Sequence, residues 1–136
     1  MKKYVFFILV LYTSCQPAHE RKASKTDCDK FKKGEFLHES QGDPTVYRIH
    51  RTDSIQKEII GKTGDFVNLK ISWTSPCTYE LTFLDQHIIG RDSLSESLKK
   101  TMKVKVEILE IRNDTCFVIA ESGNQRVPGI VYIDKK

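Results

Sequence analysis

The feature that most constrains the fold is a short-period alternation of apolar and polar residues along most of the chain after residue 30. Turn-forming residues interrupt it about every 8 to 12 residues, a spacing typical of antiparallel β domains. No internal repeat or long helical period is present, and 90–100 is predicted as a loop with one helical turn. The predicted strands lie near 31–38, 45–51, 55–60, 66–73, 77–84, 102–111, 115–122 and 125–133.

The hairpin around residue 75 constrains the register, because residues opposite one another across a hairpin share a face. A loop of residues 74–76 would place Trp73 opposite Cys77 and Lys70 opposite Glu80, with one face wholly apolar. A shift by one residue would bury polar groups without partners, which is costly. We therefore predict the three-residue loop.

Two further hairpins give an apolar face and an opposite-charge pair when their turns are placed at 52–54 and at Gly123-Asn124. The predicted pairs are Tyr47 with Ile59 and Arg48 with Glu58 at the first turn, and Val118 with Gly129, Ala120 with Val127 and Glu121 with Arg126 at the second. Sequentially paired hairpins predict an all-β fold, a single antiparallel meander of about seven or eight strands. It could form a curved sheet or a small lipocalin-like barrel.

Strand 102–111 has bulky apolar residues on both faces, which predicts a bulge near Ile108 or burial on two sides. A barrel or half-barrel accommodates either arrangement.

The N-terminus predicts export. Lys2 and Lys3 precede an uncharged run of 11 residues, Tyr4 to Ser14. A helix that crosses a bilayer needs about 20 apolar residues, so this run is too short to span. A basic start, an apolar stretch and small residues at its end are typical of a signal peptide, which we place at 1–14.

The small pair Thr13-Ser14 followed by Cys15 resembles the lipobox of bacterial lipoproteins. That resemblance implies cleavage before Cys15, which becomes the lipid-modified first residue, for example with palmitate. Tyr12 departs from the motif, so export without a lipid stays an alternative. Gln16 does not meet the inner-membrane retention rule of Gram-negative lipoproteins, which favours an outer-membrane anchor facing the periplasm. The polar segment 15–27 is then a flexible tether, and 28–136 is the β domain.

The composition argues against a nucleic-acid partner. Removal of residues 1–14 takes two lysines and no acids, which lowers Lys+Arg from 22 to 20 against 18 Asp+Glu. A protein that holds a phosphate backbone normally carries a clustered basic surplus. The exported domain, at +2, has none, because positive and negative residues alternate.

Three cysteines remain after Cys15, and the periplasm is an oxidising compartment. Cys28 and Cys77 lie at the ends of predicted strands or loops, whereas Cys116 lies in mid-strand on an apolar face. We predict a Cys28–Cys77 disulfide with Cys116 free. A pairing that involves Cys116 is the alternative.

The segments "CDKFKKGEF", "RTDSIQKE" and "WTSPCTYELT" resemble a family of small uncharacterised Gram-negative lipoproteins. Its mature part begins Cys-x-x-Phe-Lys-x-Gly-x-Phe and carries a later Trp-x-x-x-Cys-x-Tyr. The likeness covers about residues 28 to 83 and touches Cys28, Phe31, Lys32, Gly34, Phe36, Arg51, Trp73, Cys77 and Tyr79. Some members bear a DNA topoisomerase IV label, which nothing in this small exported chain supports.

The sequence contains no Cys-x-x-Cys, His-Glu-x-x-His or Gly-x-Ser-x-Gly motif, so we predict no catalytic residues, no metal and no cofactor. The expected function is that of a non-catalytic binding or interaction module on the cell envelope, with an envelope protein or a small apolar ligand as partner. The alternatives are a small-ligand carrier and a periplasmic enzyme of unrecognised type. Residues that could face a ligand, or form the core, are Phe36, Tyr47, Trp73 and Tyr79.

Overall fold

The alternating segments form eight antiparallel strands that close into a barrel in sequential order, because β1 pairs with β8 as well as with β2. The structure is a computed structural model and describes residues 23–89 and 96–136. The strands are β1 Gly34–Ser40, β2 Asp43–Arg51, β3 Ile55–Ile60, β4 Asp65–Ser75, β5 Thr78–His87, β6 Lys103–Arg112, β7 Thr115–Ser122 and β8 Gln125–Ile133. The all-β prediction is confirmed, and of its two forms the chain adopts the closed barrel.

The core lies inside the barrel, because every second side chain of each strand points inward. The buried apolar residues of the strands are Phe36, Ile49, Ile60, Leu69, Ile71, Tyr79, Leu81, Val106, Ile108, Cys116, Val118 and Val131. Three polar residues, Arg51, Gln56 and Asp65, are also buried. The interior is therefore not uniformly apolar.

The β7–β8 hairpin has the predicted register. Val118 lies opposite Gly129, and Glu121 lies opposite Arg126. The Glu121 and Arg126 side chains form an ion pair of 3.0 Å. Gly123 has a φ of +56°, a conformation that favours glycine in a two-residue turn.

The predicted bulge in β6 is present, since the pairing with β7 shifts between Ile108 and Glu110. Leu109 is the extra residue there, and its side chain is exposed. A bulge of this kind bends the strand and helps the sheet to curve.

The predicted register of the β4–β5 hairpin is wrong by two residues. Trp73 lies opposite Tyr79 and Lys70 opposite Thr82, with a bulge between Trp73 and Ser75. The bulge takes up residues that the prediction had placed in the loop. A shift of two residues preserves the face of every side chain, so the predicted apolar inner face of this hairpin is kept.

The predicted register of the β2–β3 hairpin is wrong by one residue. Tyr47 lies opposite Ile60 and Arg48 opposite Ile59. A shift of one residue turns the whole strand over. As a result, the Glu58 side chain points into the barrel, and it does not pair with Arg48 on the outer face.

Two short helical segments precede the barrel, α1 (Lys25–Cys28) and a 3-10 turn (Asp29–Phe31). The chain therefore folds back before β1, and β1 begins at Gly34 and not at residue 31 as predicted. This fold places the Phe31 side chain over the end of the barrel. There it is fully buried against the Phe36 ring, with the two ring centroids 5.8 Å apart. Residues 25–27 of helix α1 lie in the range predicted as tether, and Cys28 lies in the range predicted as β domain.

The predicted disulfide is present and joins Cys28 to Cys77, with their Cα atoms 5.4 Å apart. Cys116 is free and buried, as predicted. The bridge fastens the N-terminal segment to the turn between β4 and β5.

A second helix, α2 (Glu96–Thr101), follows β5 and agrees with the helical turn predicted in 90–100. None of the helices within 23–89 and 96–136 is long and apolar enough to cross a bilayer. The signal peptide 1–14, the lipidation site Cys15 and most of the predicted tether lie outside the described residues.

Candidate functional site

The two ends of the barrel are built differently. The N-terminal segment covers the end where β1 begins and where the β2–β3, β4–β5 and β6–β7 turns lie, which we call the closed end. A backbone hydrogen bond of 3.0 Å from Ala23 to Leu109 ties this segment to β6. The opposite end carries α2 and the remaining turns, and we call it the cavity end.

Arg51 organises the closed end. Its Nη1 donates to the Phe31 carbonyl at 2.6 Å, its Nη2 to the Tyr79 hydroxyl at 3.0 Å, and its Nε to Gln56 Oε1 at 2.8 Å. The residue is 2% exposed. A buried cation of this kind is tolerated because three partners, from three different segments of the chain, accept its hydrogen bonds.

Aromatic rings enclose the same guanidinium. Its carbon lies 5.3 Å from the Phe36 ring centroid and 4.7 Å from that of Tyr79, within the range of cation–π attraction. Burial raises the pKa of the Tyr79 hydroxyl, and the Arg51 charge opposes that effect without reversing it. The hydroxyl therefore stays protonated and accepts the Arg51 hydrogen bond.

A cavity of about 190 Å³ occupies the interior between the middle of the barrel and the cavity end. Most of its wall is apolar, and the polar groups come from β1, β3 and β5. The lining residues are His38, Ile49, Gln56, Glu58, Leu69, Tyr79, Leu81, Met102, Val104, Val106, Val118, Ala120 and Val131.

Glu58 is the carboxylate of this wall. Gln56 Nε2 donates to Glu58 Oε1 at 2.6 Å, while the Gln56 carbonyl accepts from Arg51. Among the described residues, Glu58 Oε2 has no hydrogen-bond partner. Gln56 therefore links the buried cation to a carboxylate that keeps one oxygen free beside the cavity.

His38 lies on β1 and also lines the cavity. Burial lowers the pKa of its ring; Glu58 opposes this effect and the Arg51 charge reinforces it. Ser40 Oγ lies 3.3 Å from Nε2. The ring is therefore neutral at neutral pH and adds no charge to the interior.

Gly129 provides the space for this ring. A Cβ atom at residue 129 would lie 3.0 Å from His38 Nε2 and 3.1 Å from the Glu39 carbonyl oxygen. Both distances are shorter than ordinary van der Waals contacts. Because Gly129 on β8 has no side chain, the His38 ring can pack inside the barrel.

Two wider depressions, each of about 500 Å³, lie on the outer surface. One runs along α2 beside Phe83, and the other crosses the outer faces of β7 and β8 near Phe117 and Ile130. Their walls are strand faces and helix side chains in contact with solvent. The interior cavity, which is less open to solvent than either depression and is lined by side chains inside the barrel, is the better candidate for a specific site.

The structure separates the four aromatic residues predicted to face a ligand or form the core. Tyr79 lines the cavity, whereas Phe36 is packed into the closed end. Trp73 is half-buried at the closed end, with its ring 4.7 Å from that of Tyr79. Tyr47 is half-buried and donates through its hydroxyl to Asp43 at 2.9 Å. These three are not among the lining residues.

The sequence predictions missed the polar residues of the interior, namely Arg51, Gln56, Glu58 and His38. One signal was present, because the alternation of inward residues in β2 passes from Tyr47 through Ile49 to Arg51. A buried arginine at the end of that series requires acceptors on the next strand. The opposite-charge criterion instead favoured an exposed Arg48–Glu58 pair.

The described residues also bear on nucleophilic and metal chemistry. Burial raises the pKa of the Cys116 thiol to about 12, so it stays protonated and is a poor nucleophile. Within 23–89 and 96–136, no group of three or more His, Cys, Asp or Glu side chains is placed to hold a metal ion.

Comparison with known proteins adds no assignment. No model of a protein family matches the chain, and no curated protein or solved structure shows significant similarity to it.

Proposed function

We propose that this protein is a non-catalytic binding module of the cell envelope, anchored by a lipid on Cys15, that holds a small ligand inside its barrel. The observation that carries the proposal is the interior cavity, which combines an apolar wall with a few polar groups. This composition is typical of small-molecule sites. An engineered apolar cavity of about 150 Å³ binds benzene, so a space of this size suits a ligand of about one substituted ring.

The arrangement favours binding over catalysis. The Tyr79 hydroxyl accepts from Arg51, and Gln56 donates to Glu58, so both groups already have fixed partners. Cys116, a potential nucleophile, is protonated and is not among the lining residues. Acid–base or nucleophilic chemistry needs a positioned, activated pair of groups.

The envelope location rests on features of the sequence together with the disulfide. The segment up to Ser14 is typical of a signal peptide, and Cys15 follows it directly. The bridge between Cys28 and Cys77 is of the kind that persists in oxidising compartments such as the periplasm. The outer membrane, with the domain facing the periplasm, is the proposed destination.

The ligand proposal is tested with a variant that fills the cavity. Ala120 lines the cavity, and Ala120→Phe should occupy it. Native mass spectrometry of the full-length protein extracted from its own membranes should show a small bound molecule that Ala120→Phe lacks. Ala120→Val is a smaller change that should leave the fold intact and should weaken retention of the bound molecule, so it separates filling of the cavity from a folding defect. Equal retention by all three proteins would contradict interior binding.

The anchor is tested separately. Cys15→Ala should abolish incorporation of a fatty-acid probe and release the domain from the membrane fraction. Cys116→Ser serves as the matched cysteine control and should retain the label. Label that persists in Cys15→Ala would show that the chain is not acylated at this residue.

A further inference from the structure

The charges inside the barrel limit which ligand can bind. The cavity wall holds one carboxylate, Glu58, which Gln56 links to the buried cation Arg51. A second buried carboxylate, Asp65, lies on β4 and is not among the lining residues. His38 is neutral because burial lowers the pKa of its ring. An ion that entered this mostly apolar cavity would lose its hydration, which is costly in a medium of low dielectric constant.

Glu58 provides the unpaired acceptor of the cavity wall. A carboxylate accepts through both oxygens and donates through neither, and Gln56 occupies only Glu58 Oε1. The Tyr79 hydroxyl accepts from Arg51 and keeps its own proton to donate. A ligand group that donates to Glu58 Oε2 would therefore complete the network, whereas a ligand carboxylate would face a like charge.

We infer that the cavity selects an uncharged molecule of about the size of one substituted ring, with a hydroxyl or N–H group that donates to Glu58. The apolar body of the molecule would pack against the wall formed by Val104, Val106 and Val118. A cationic amine would satisfy Glu58 but would share the interior with Arg51 at a cost. This inference rests on the proposed function, since it specifies the chemistry of the same cavity.

The test compares ring-sized probes that differ in the polar group. Toluene, benzyl alcohol, benzylamine and benzoate are titrated into the purified full-length protein at neutral pH and followed by NMR chemical shifts. Benzyl alcohol should bind about tenfold more tightly than toluene, as expected for a hydrogen bond to a charged acceptor. Benzylamine should bind more weakly than the alcohol, and benzoate should bind weakest of all.

Two variants assign the preference to Glu58. Glu58→Leu should reverse the order of benzyl alcohol and toluene, because the acceptor is replaced by an apolar group. Glu121→Gln removes a carboxylate from the outer face, where Glu121 pairs with Arg126, and should leave the order unchanged.

The outcomes separate this inference from the proposed function. Binding of the probes, blocked by Ala120→Phe but with the same preference in Glu58→Leu, would overturn the role of Glu58 and leave interior binding intact. Tightest binding of benzylamine or benzoate would overturn the uncharged class. No binding of any probe to the wild-type protein would overturn both proposals.

Discussion

The closed end and the cavity end of the barrel have the same strands but different interiors. At the closed end, Phe31 fills the space and Arg51 has its hydrogen bonds satisfied by protein groups. At the cavity end, His38 and Glu58 line an open space, and the second oxygen of Glu58 has no partner among the described residues. The difference indicates that protein groups satisfy the buried charge at one end, whereas the other end keeps a cavity beside a partly satisfied carboxylate.

This division has a physical basis. Buried polar groups stabilise a fold only when all of them are satisfied, and partly satisfied groups lower stability unless a ligand completes them. The N-terminal segment supplies the missing acceptor at the closed end through the Phe31 carbonyl. No described segment performs that task for Glu58 Oε2.

The largest expected effect is loss of the Cys28–Cys77 bridge, which tests whether the closed end depends on its N-terminal cover. The bridge spans 49 residues of sequence, for which the chain-entropy model gives about 4 kcal/mol. Cys28→Ser and Cys77→Ser should lower the free energy of unfolding similarly, and the double variant should be no worse than either. Urea unfolding measures this.

Cys116→Ser provides the control for the bridge and should leave electrophoretic mobility under non-reducing conditions unchanged. Additive losses in the two single variants would show that each cysteine contributes independently of the bridge. The closed end would then not depend on this covalent link.

Replacement of Arg51 is expected to have the next largest effect. Arg51→Met leaves the Phe31 carbonyl, the Tyr79 hydroxyl and Gln56 without their donor in a buried environment. Unpaired buried groups of this kind cost about 1–3 kcal/mol each, so the free energy of unfolding should fall by about 3 kcal/mol. Thermal and urea unfolding provide the measurement.

Two variants sharpen the comparison. Arg48 lies on the exposed outer face of the same strand, so Arg48→Met should change the free energy of unfolding by no more than about 0.5 kcal/mol. Glu58→Leu, at the cavity, should cost less than Arg51→Met because one of its oxygens has no protein partner to lose. A loss in Glu58→Leu as large as that in Arg51→Met would remove the distinction between the two ends.

The smallest expected effect is a pH dependence at the cavity end. The pKa of His38 lies below its ordinary value of 6.5, chiefly because the ring is buried. The unfolded chain therefore takes up a proton first as the pH falls, and the stability due to the neutral ring is complete above about pH 6.5 and declines below it. The slope cannot exceed one proton, or about 1.4 kcal/mol per pH unit.

The measurement is the unfolding midpoint across this pH range, with His38→Gln as the test variant. His38→Gln should flatten the decline, whereas His50→Gln, an exposed residue beside Glu35 on the outer face, should preserve it. A decline of equal slope in His38→Gln would assign it to other groups.

The accuracy of the sequence predictions varied from hairpin to hairpin. The β7–β8 register was predicted correctly because a Gly123-Asn124 turn admits one short geometry. The β4–β5 register was wrong by two residues because a bulge is not visible in a period-2 pattern, although each side chain kept its face. The β2–β3 register was wrong by one residue because Ile59 and Ile60 are adjacent, so either register gives an apolar contact.

The sequence by itself determined the β class, the number and approximate bounds of the strands, and the cysteine pair, because these depend on local periodicity and on position along the chain. The tertiary structure alone decided the β1–β8 closure, the burial of Arg51 and the inward face of Glu58. A buried charge is stable only where partners converge on it, and here the carbonyl of Phe31 and the hydroxyl of Tyr79 come from segments distant in sequence. Local patterns cannot report such partners, which is why the polar side of the cavity appears only in the folded barrel.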